Sequence, residues 1–218
     1  MKLHHRKLLA LAAGSLAATL TGAATAATPS HATYAAQLQP MNTGVTHTSA
    51  TGDARFVVDG DKLTITIDMR GTSPDTVHWQ HFHGFTTAQA ATCPSMADDA
   101  NHDGIVDLIE AGKTSGTTMM PFITDPVSMD VAHGSYPKAN ADGSYHYQET
   151  VSLKALDAAF AKAFPGQKPD LAKRVVFIHG VPDSAKLPAS VASLGPIPAQ
   201  VTLPIACGRI ERTRTAAH

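Results

Sequence analysis

Aromatic residues make up only 6% of the 218 positions, with a single tryptophan, and charged residues only 16%. Fourteen prolines and sixteen glycines accompany that shortage, a balance that favours a loop-rich β domain over a helical bundle. No run of lysine and arginine stands out as a footprint for nucleic acid, and that class of partner is excluded. No internal repeat is present, so repeat architectures are excluded as well. The chain is long enough for one sizeable hydrophobic core and too short to require two.

The first 27 residues read as an export signal. Lys2, Arg6 and Lys7, with His4 and His5, form a basic head, and an uncharged stretch runs from Leu8 to Ala27. It ends in Ala24-Thr25-Ala26-Ala27, small residues that a signal peptidase accepts. About 20 apolar residues can also cross a bilayer. Here Gly14, Ser15, Thr19, Thr21 and Gly22 dilute the stretch, and no basic stop-transfer flank follows it. No cysteine follows the apolar stretch either, which argues against a lipid anchor there. The expectation is a periplasmic or secreted protein without membrane association once residues 1–27 are removed. Residues 28–218 then form one domain with fourteen basic and eighteen acidic side chains, a net charge of −4. Cys93 and Cys207 are the only two cysteines. In an oxidising compartment two cysteines in one domain favour pairing. Such a bridge closes a loop of over a hundred residues, worth roughly 4–5 kcal/mol in the chain-entropy model.

Strand signals begin with one early strand around Ala36–Met41. The clearest periodicity is Leu63, Ile65, Ile67 and Met69 alternating with Thr64, Thr66 and Asp68, a half-buried strand. Phe56-Val57-Val58 precedes it through the tight turn Asp59-Gly60-Asp61. Further strands are expected over 77–85, 145–151, 175–179 and 205–210, with residues 209–214 as a frayed basic tail. Ser152 can cap a short helix carrying Leu153, Leu156, Phe160 and Phe164 on one face, which Gly166 and Pro169 end. Residues 86–143 show little alternation. They predict a long inserted loop, and a loop of that length in a compact domain needs something to order it.

The stretch His78-Trp79-Gln80-His81-Phe82-His83-Gly84-Phe85 carries the chemistry. On a strand, residues two apart share a face, so His81 and His83 can present imidazoles side by side while Phe82 points into the core. Neutral imidazole suits copper and zinc alike. Two surface histidines on an exposed strand face are the plain alternative. His179 ends the apolar run Val175-Val176-Phe177-Ile178 and adds a third candidate. Together with Cys93 and Ile205-Ala206-Cys207-Gly208, these pieces resemble the copper/zinc superoxide dismutases in order and context. The resemblance covers roughly residues 35–210. It implies an all-β fold, an antiparallel Greek-key sandwich or barrel with a long inserted loop and one short helix. It also implies copper ligation by His81, His83 and His179, with His78 as a structural histidine and Cys93–Cys207 as a disulfide. The implied activity is dismutation of superoxide to oxygen and peroxide.

The family's zinc cluster has no counterpart after Cys93, so zinc is not expected beside the copper. His102, His133 and His146 are the remaining histidines of that region, and His133 is the candidate fourth ligand. Pro204 stands where the family carries an arginine that attracts the superoxide anion. A non-catalytic copper-binding protein with a copper-transfer partner is therefore the alternative to the dismutase. Within the insertion, Asp99, Asn101, Asp103, Asp107 and Glu110, with Gly104 at the sixth position and the carbonyl of Ile105 at the seventh, match a twelve-residue calcium loop over 99–110. An acidic solvated loop is the alternative there. A single loop of this kind would order the excursion as calcium binds rather than act as a switch.

Overall fold

The computed structural model describes residues 31–213; the expected signal segment, residues 1–27, lies outside the described residues. The strands are β1 (His31–Pro40), β2 (Thr51–Asp59), β3 (Lys62–Arg70), β4 (Gln80–Gly84), β5 (Thr117–Pro121), β6 (Tyr145–Ser152), β7 (Val175–His179), β8 (Pro204–Arg209) and β9 (Glu211–Arg212). The helices are α1 (Thr43–Thr46), α2 (Leu108–Ser115), α3 (Leu153–Ala163) and α4 (Ala199–Thr202). The strands pair in the order β5-β4-β7-β8-β1-β2-β3-β6, antiparallel throughout, with β9 added beside β1. The sheet curls into a half-barrel.

The inner face follows from the pleat. Leu63, Ile65, Ile67 and Met69 on β3 are all buried, while Thr64 and Thr66 face outward and meet Thr150 and Gln148 of β6. Phe56, Phe82, Val176, Ile178 and Ala206 complete this core, and Leu156 and Phe160 of α3 close over it. Ser152 caps α3 as its sequence position suggests, accepting from the Ala155 amide. The turn after β2 adds a second tie, because Asp61 accepts from Ser152 Oγ and from the Lys154 amide. The open side of the half-barrel, between β5 and β6, is bridged by phenols. Tyr147 donates to the Ile123 carbonyl at 2.9 Å, and Tyr145 donates to Gln80 Oε1 at 3.1 Å.

Two departures from the sequence reading have physical causes. The first strand starts at His31 rather than near Ala36, because its buried residues are mostly small: Ala32, Ala36 and Leu38. Within the expected tail, Glu211 and Arg212 pair with Ala35 and Tyr34 as β9, and Arg214 lies outside the described residues.

The excursion after β4 is ordered: residues of its first part cover the outer face of the sheet, and β5 then joins the sheet beside β4, with Met120 and Phe122 in the inner core. Val175, Phe177 and Cys207 point outward there and form a second apolar cluster with Ala91, Val106 and Ala111 of the excursion. Cys93 and Cys207 form a disulfide across this contact. The side chain of Asn42 adds a polar tie, pairing with both the amide and the carbonyl of Val106 and donating also to the Pro204 carbonyl. One covalent bridge, one amide clamp and a small apolar contact thus help hold this layer on the sheet.

Replacing both cysteines by alanine should cost about 2–5 kcal/mol of unfolding free energy. Hydrogen exchange should localise the loss, with amides in 86–116 exchanging faster and those of β2 and β3 unchanged. Uniform acceleration across the sheet would show that the bridge supports the whole barrel instead of the cover.

Candidate metal centre

His81 and His83 share the outward side of β4, two residues apart, as the pleat requires. His179 ends β7, the strand paired with β4 through His81 and Phe177. All three side chains are buried, at 3%, 2% and 1% exposure, because the excursion covers this face. Their ligand atoms lie within 4.8 Å of one another. They are the one group of three or more His, Cys, Asp or Glu side chains set to hold a metal ion among the described residues.

Hydrogen bonds assign the ring nitrogens. His179 Nδ1 lies 2.7 Å from the Thr202 carbonyl, which can only accept, so Nδ1 carries the proton. Nε2 of His179 is left with its lone pair, buried and without a hydrogen-bond partner. An orphaned acceptor of this kind costs about 1–3 kcal/mol unless something binds it. His83 Nε2 lies 3.0 Å from His81 Nδ1. Two ligands at about 2.0–2.1 Å from one ion would stand at that separation across roughly a right angle. His83 Nδ1 points toward the Gly116 carbonyl without a hydrogen bond of normal geometry. The donor set therefore fits a metal ion held by His81 Nδ1, His83 Nε2 and His179 Nε2.

Electrostatics keep these rings ready to ligate. Burial pushes His83 down to about 3, with repulsion from His179 adding to it. Burial also pushes His179 down to about 4, against the opposing pull of its bond to Thr202. His81 falls well below the usual histidine range, through burial first and the neighbouring imidazoles second. Neutral imidazole is the ligating form, so binding a metal would release no net proton at neutral pH, while the proton between His83 Nε2 and His81 Nδ1 would move to another ring nitrogen.

His78 is fully buried beneath the centre. It contacts the His179 carbonyl through Nδ1 at 3.0 Å and the Ser73 carbonyl through Nε2 at 3.3 Å. It thereby ties the end of β7 to the loop after β3. Gly180 is needed at this crossing: its φ is 111°, and a Cβ there would stand 2.9 Å from the Val77 carbonyl oxygen.

The other sequence candidates lie elsewhere. The His133 side chain is 83% exposed and pairs with Asp130 at 3.1 Å, outside the three-histidine group. His102 is exposed, and His146 is bonded to Asp68 on the outer side of the sheet. The group nearest to a fourth position is Thr118 of β5, whose Oγ1 lies 3.1 Å from His83 Nε2. Sequence reasoning missed Thr118 because β5 is five residues long inside the excursion. Only the cross-strand pairing of Thr118 with His83 reveals it.

The acidic loop wraps around its own carboxylates. Asp99 accepts from the Gly104 amide at 2.9 Å, Asp103 from Ile105 at 2.9 Å, and Glu110 from Ala100 at 2.8 Å. Asn101 accepts from the Asp103 amide, and Asp107 caps α2 through the amides of Ile109 and Glu110. Its four carboxylates do not form a ligand group as tight as the histidine one. The loop's far side is tied to the segment after β7 by Ser190 Oγ donating to Asp103 and the Ala192 amide donating to Asp107.

No protein-family model matches this chain, and no curated protein matches it. No helix among the described residues is long and apolar enough to cross a membrane. The disulfide fits an extracellular setting, where thiols oxidise.

The histidines make the metal-free protein acid-sensitive. In the unfolded chain these imidazoles take up protons near 6.5, whereas folded His179 and His83 do so only near 4 and 3. Between those limits the unfolded state binds more protons, so stability is full above 6.5 and falls as the pH drops toward 4. Denaturation of the metal-free protein against pH should show that decline. A His179→Gln variant should show a shallower one.

Proposed function

We propose that this is an exported copper-binding protein of superoxide dismutase type, with copper held by His81, His83 and His179. The observation that carries the reading is the buried, unpartnered Nε2 of His179 grouped with the facing nitrogens of His81 and His83. Three neutral imidazoles, with no thiolate or carboxylate among them, suit copper well. The strand order supports the Greek-key assignment. β1, β2 and β3 are joined in sequence, while the β3–β4 and β6–β7 connections cross between distant parts of the sheet.

Copper bound there would supply the one-electron exchange that turns two superoxide ions and two protons into oxygen and hydrogen peroxide. The chain's own residues position and protect that centre. The Thr202 carbonyl fixes the His179 tautomer, and Phe177 packs against the His83 ring with centroids 4.6 Å apart. The Thr118 hydroxyl provides a polar group next to His83. Calcium at residues 99–110 is part of the same proposal. Its support is the ligand spacing and the turn at Gly104, which sets the loop around Asp99.

A second reading, copper holding without turnover, draws on the depth of the three histidines and on Pro204 at the place of the family's arginine. Steering raises the rate of anion capture without being a chemical requirement. Purified protein should take up one copper per chain, and His81→Ala or His179→Ala should lower the affinity at least tenfold. Unchanged copper content in both variants would sink the proposal. Superoxide dismutation lost in those variants would establish the enzyme. Tight copper without dismutation would establish the holding protein.

A further inference from the structure

The three histidines are shielded from solvent, but one of them, His83, also lines a surface pocket of 470 Å³. The pocket lies between the ends of β4 and β5, α2, and the segment around Leu194. Leu108, Ile109 and Leu194 give it apolar walls, and no side chain lining it carries a charge at neutral pH. The charge that an entering molecule meets is therefore that of the metal. A divalent copper ion held by three neutral imidazoles keeps its double positive charge, so an anion is drawn to the inner end of the pocket although nothing on its walls attracts one. Attraction to a point charge leaves the orientation of the anion open.

Thr118 can supply that orientation. It stands on β5 opposite His83 of β4, half-buried, with its Oγ1 3.1 Å from His83 Nε2. That nitrogen is the one facing His81 Nδ1, within the group set to hold the metal. Among the described residues it is also the one hydrogen-bond partner of the Thr118 hydroxyl. Once Nε2 gives its lone pair to a metal it can no longer accept, and the hydroxyl proton needs another acceptor. A metal about 2 Å from Nε2 stands no farther than about 5 Å from Oγ1, within the span of one coordinated atom and one hydrogen bond.

We propose that this pocket admits a small anion to the metal, and that the Thr118 hydroxyl donates a hydrogen bond to that anion once it is coordinated. The inference rests on the metal centre proposed above and adds the group of this chain that holds the ligand. A small anion keeps acceptor lone pairs after it binds a metal, so it meets the need of the released hydroxyl. The hydration it loses in an uncharged pocket is replaced by the metal's charge and by a hydrogen bond strengthened by its own. Superoxide belongs to this chemical class.

Copper-loaded protein would be titrated at neutral pH with azide and, separately, with pyridine. Azide is an anion with acceptor lone pairs to spare when coordinated, whereas pyridine is neutral and its one nitrogen lone pair is taken up by the metal. Binding would be followed by the visible and electron paramagnetic resonance spectra of the copper, and copper content measured separately. Thr118→Val should weaken azide at least tenfold and leave pyridine within twofold of the parent, at unchanged copper content. Thr118→Ala, a smaller change that also removes the hydroxyl, should do the same. Thr118→Ser, which keeps the hydroxyl, should bind azide within threefold of the parent. Unchanged azide affinity in the valine and alanine variants overturns the proposal, and so does an equal loss for azide and pyridine, which would make Thr118 a packing residue. A copper-loaded parent that binds no azide overturns it as well and leaves the metal centre standing. A parent chain that takes up no copper overturns both.

Discussion

The structure turns on the desolvation of three imidazoles. A histidine taken out of water keeps its stability only if each ring nitrogen finds a partner or gives up its charge. His179 satisfies one nitrogen through Thr202 and leaves the other bare, while His83 Nε2 pairs with His81 Nδ1 across 3.0 Å and His83 Nδ1 is left without a partner. That arrangement is a poor use of a buried face unless a ligand completes it. The rest of the outer face follows from the need to keep water away: the excursion, the Cys93–Cys207 bridge and the Asn42 clamp all hold the cover in place. The inner core is conventional by comparison, and its alternating apolar residues would fold the sheet whether or not the outer face carried chemistry.

Two cores thus serve two purposes. The large inner cluster makes the half-barrel, and the small outer cluster positions the covering layer over β4, β7 and β8. Arg174 marks the junction between them. Its guanidinium donates to the carbonyls of Pro169, Phe85 and Lys168 and lies over the rings of Phe82 and Phe160. Every donor that leaves water there finds an oxygen, which is how a charge can sit at the start of a central strand. Because Phe85 begins the excursion, the same contacts fix the point at which the chain leaves β4 to cross the outer face.

What could be read from the sequence was whatever has a period or a fixed spacing. The alternation at Leu63–Met69 gives β3, the apolar run at Val175–His179 gives β7, and Ser152 gives the start of α3. The His-x-His spacing alone places two imidazoles on one face of a strand. Residues 86–143 could not be resolved this way, because their order comes from contacts with residues distant in sequence. α2 and β5 are short, and Thr118 matters only because β5 lands beside β4. His133 illustrates the same limit from the other side. A histidine next to a glycine is a reasonable candidate ligand on paper, but its position depends on a loop whose path no local pattern specifies.

The charge pattern around the centre bears on which molecule it serves. A dismutase that works by steering needs a positive group at the mouth, and the position expected to supply it is Pro204, whose carbonyl instead accepts from Asn42. That bond helps hold the loop containing Val106, and α2 starts two residues later at Leu108, which lines the pocket beside His83. Residue 204 is thus committed here to shaping the cover.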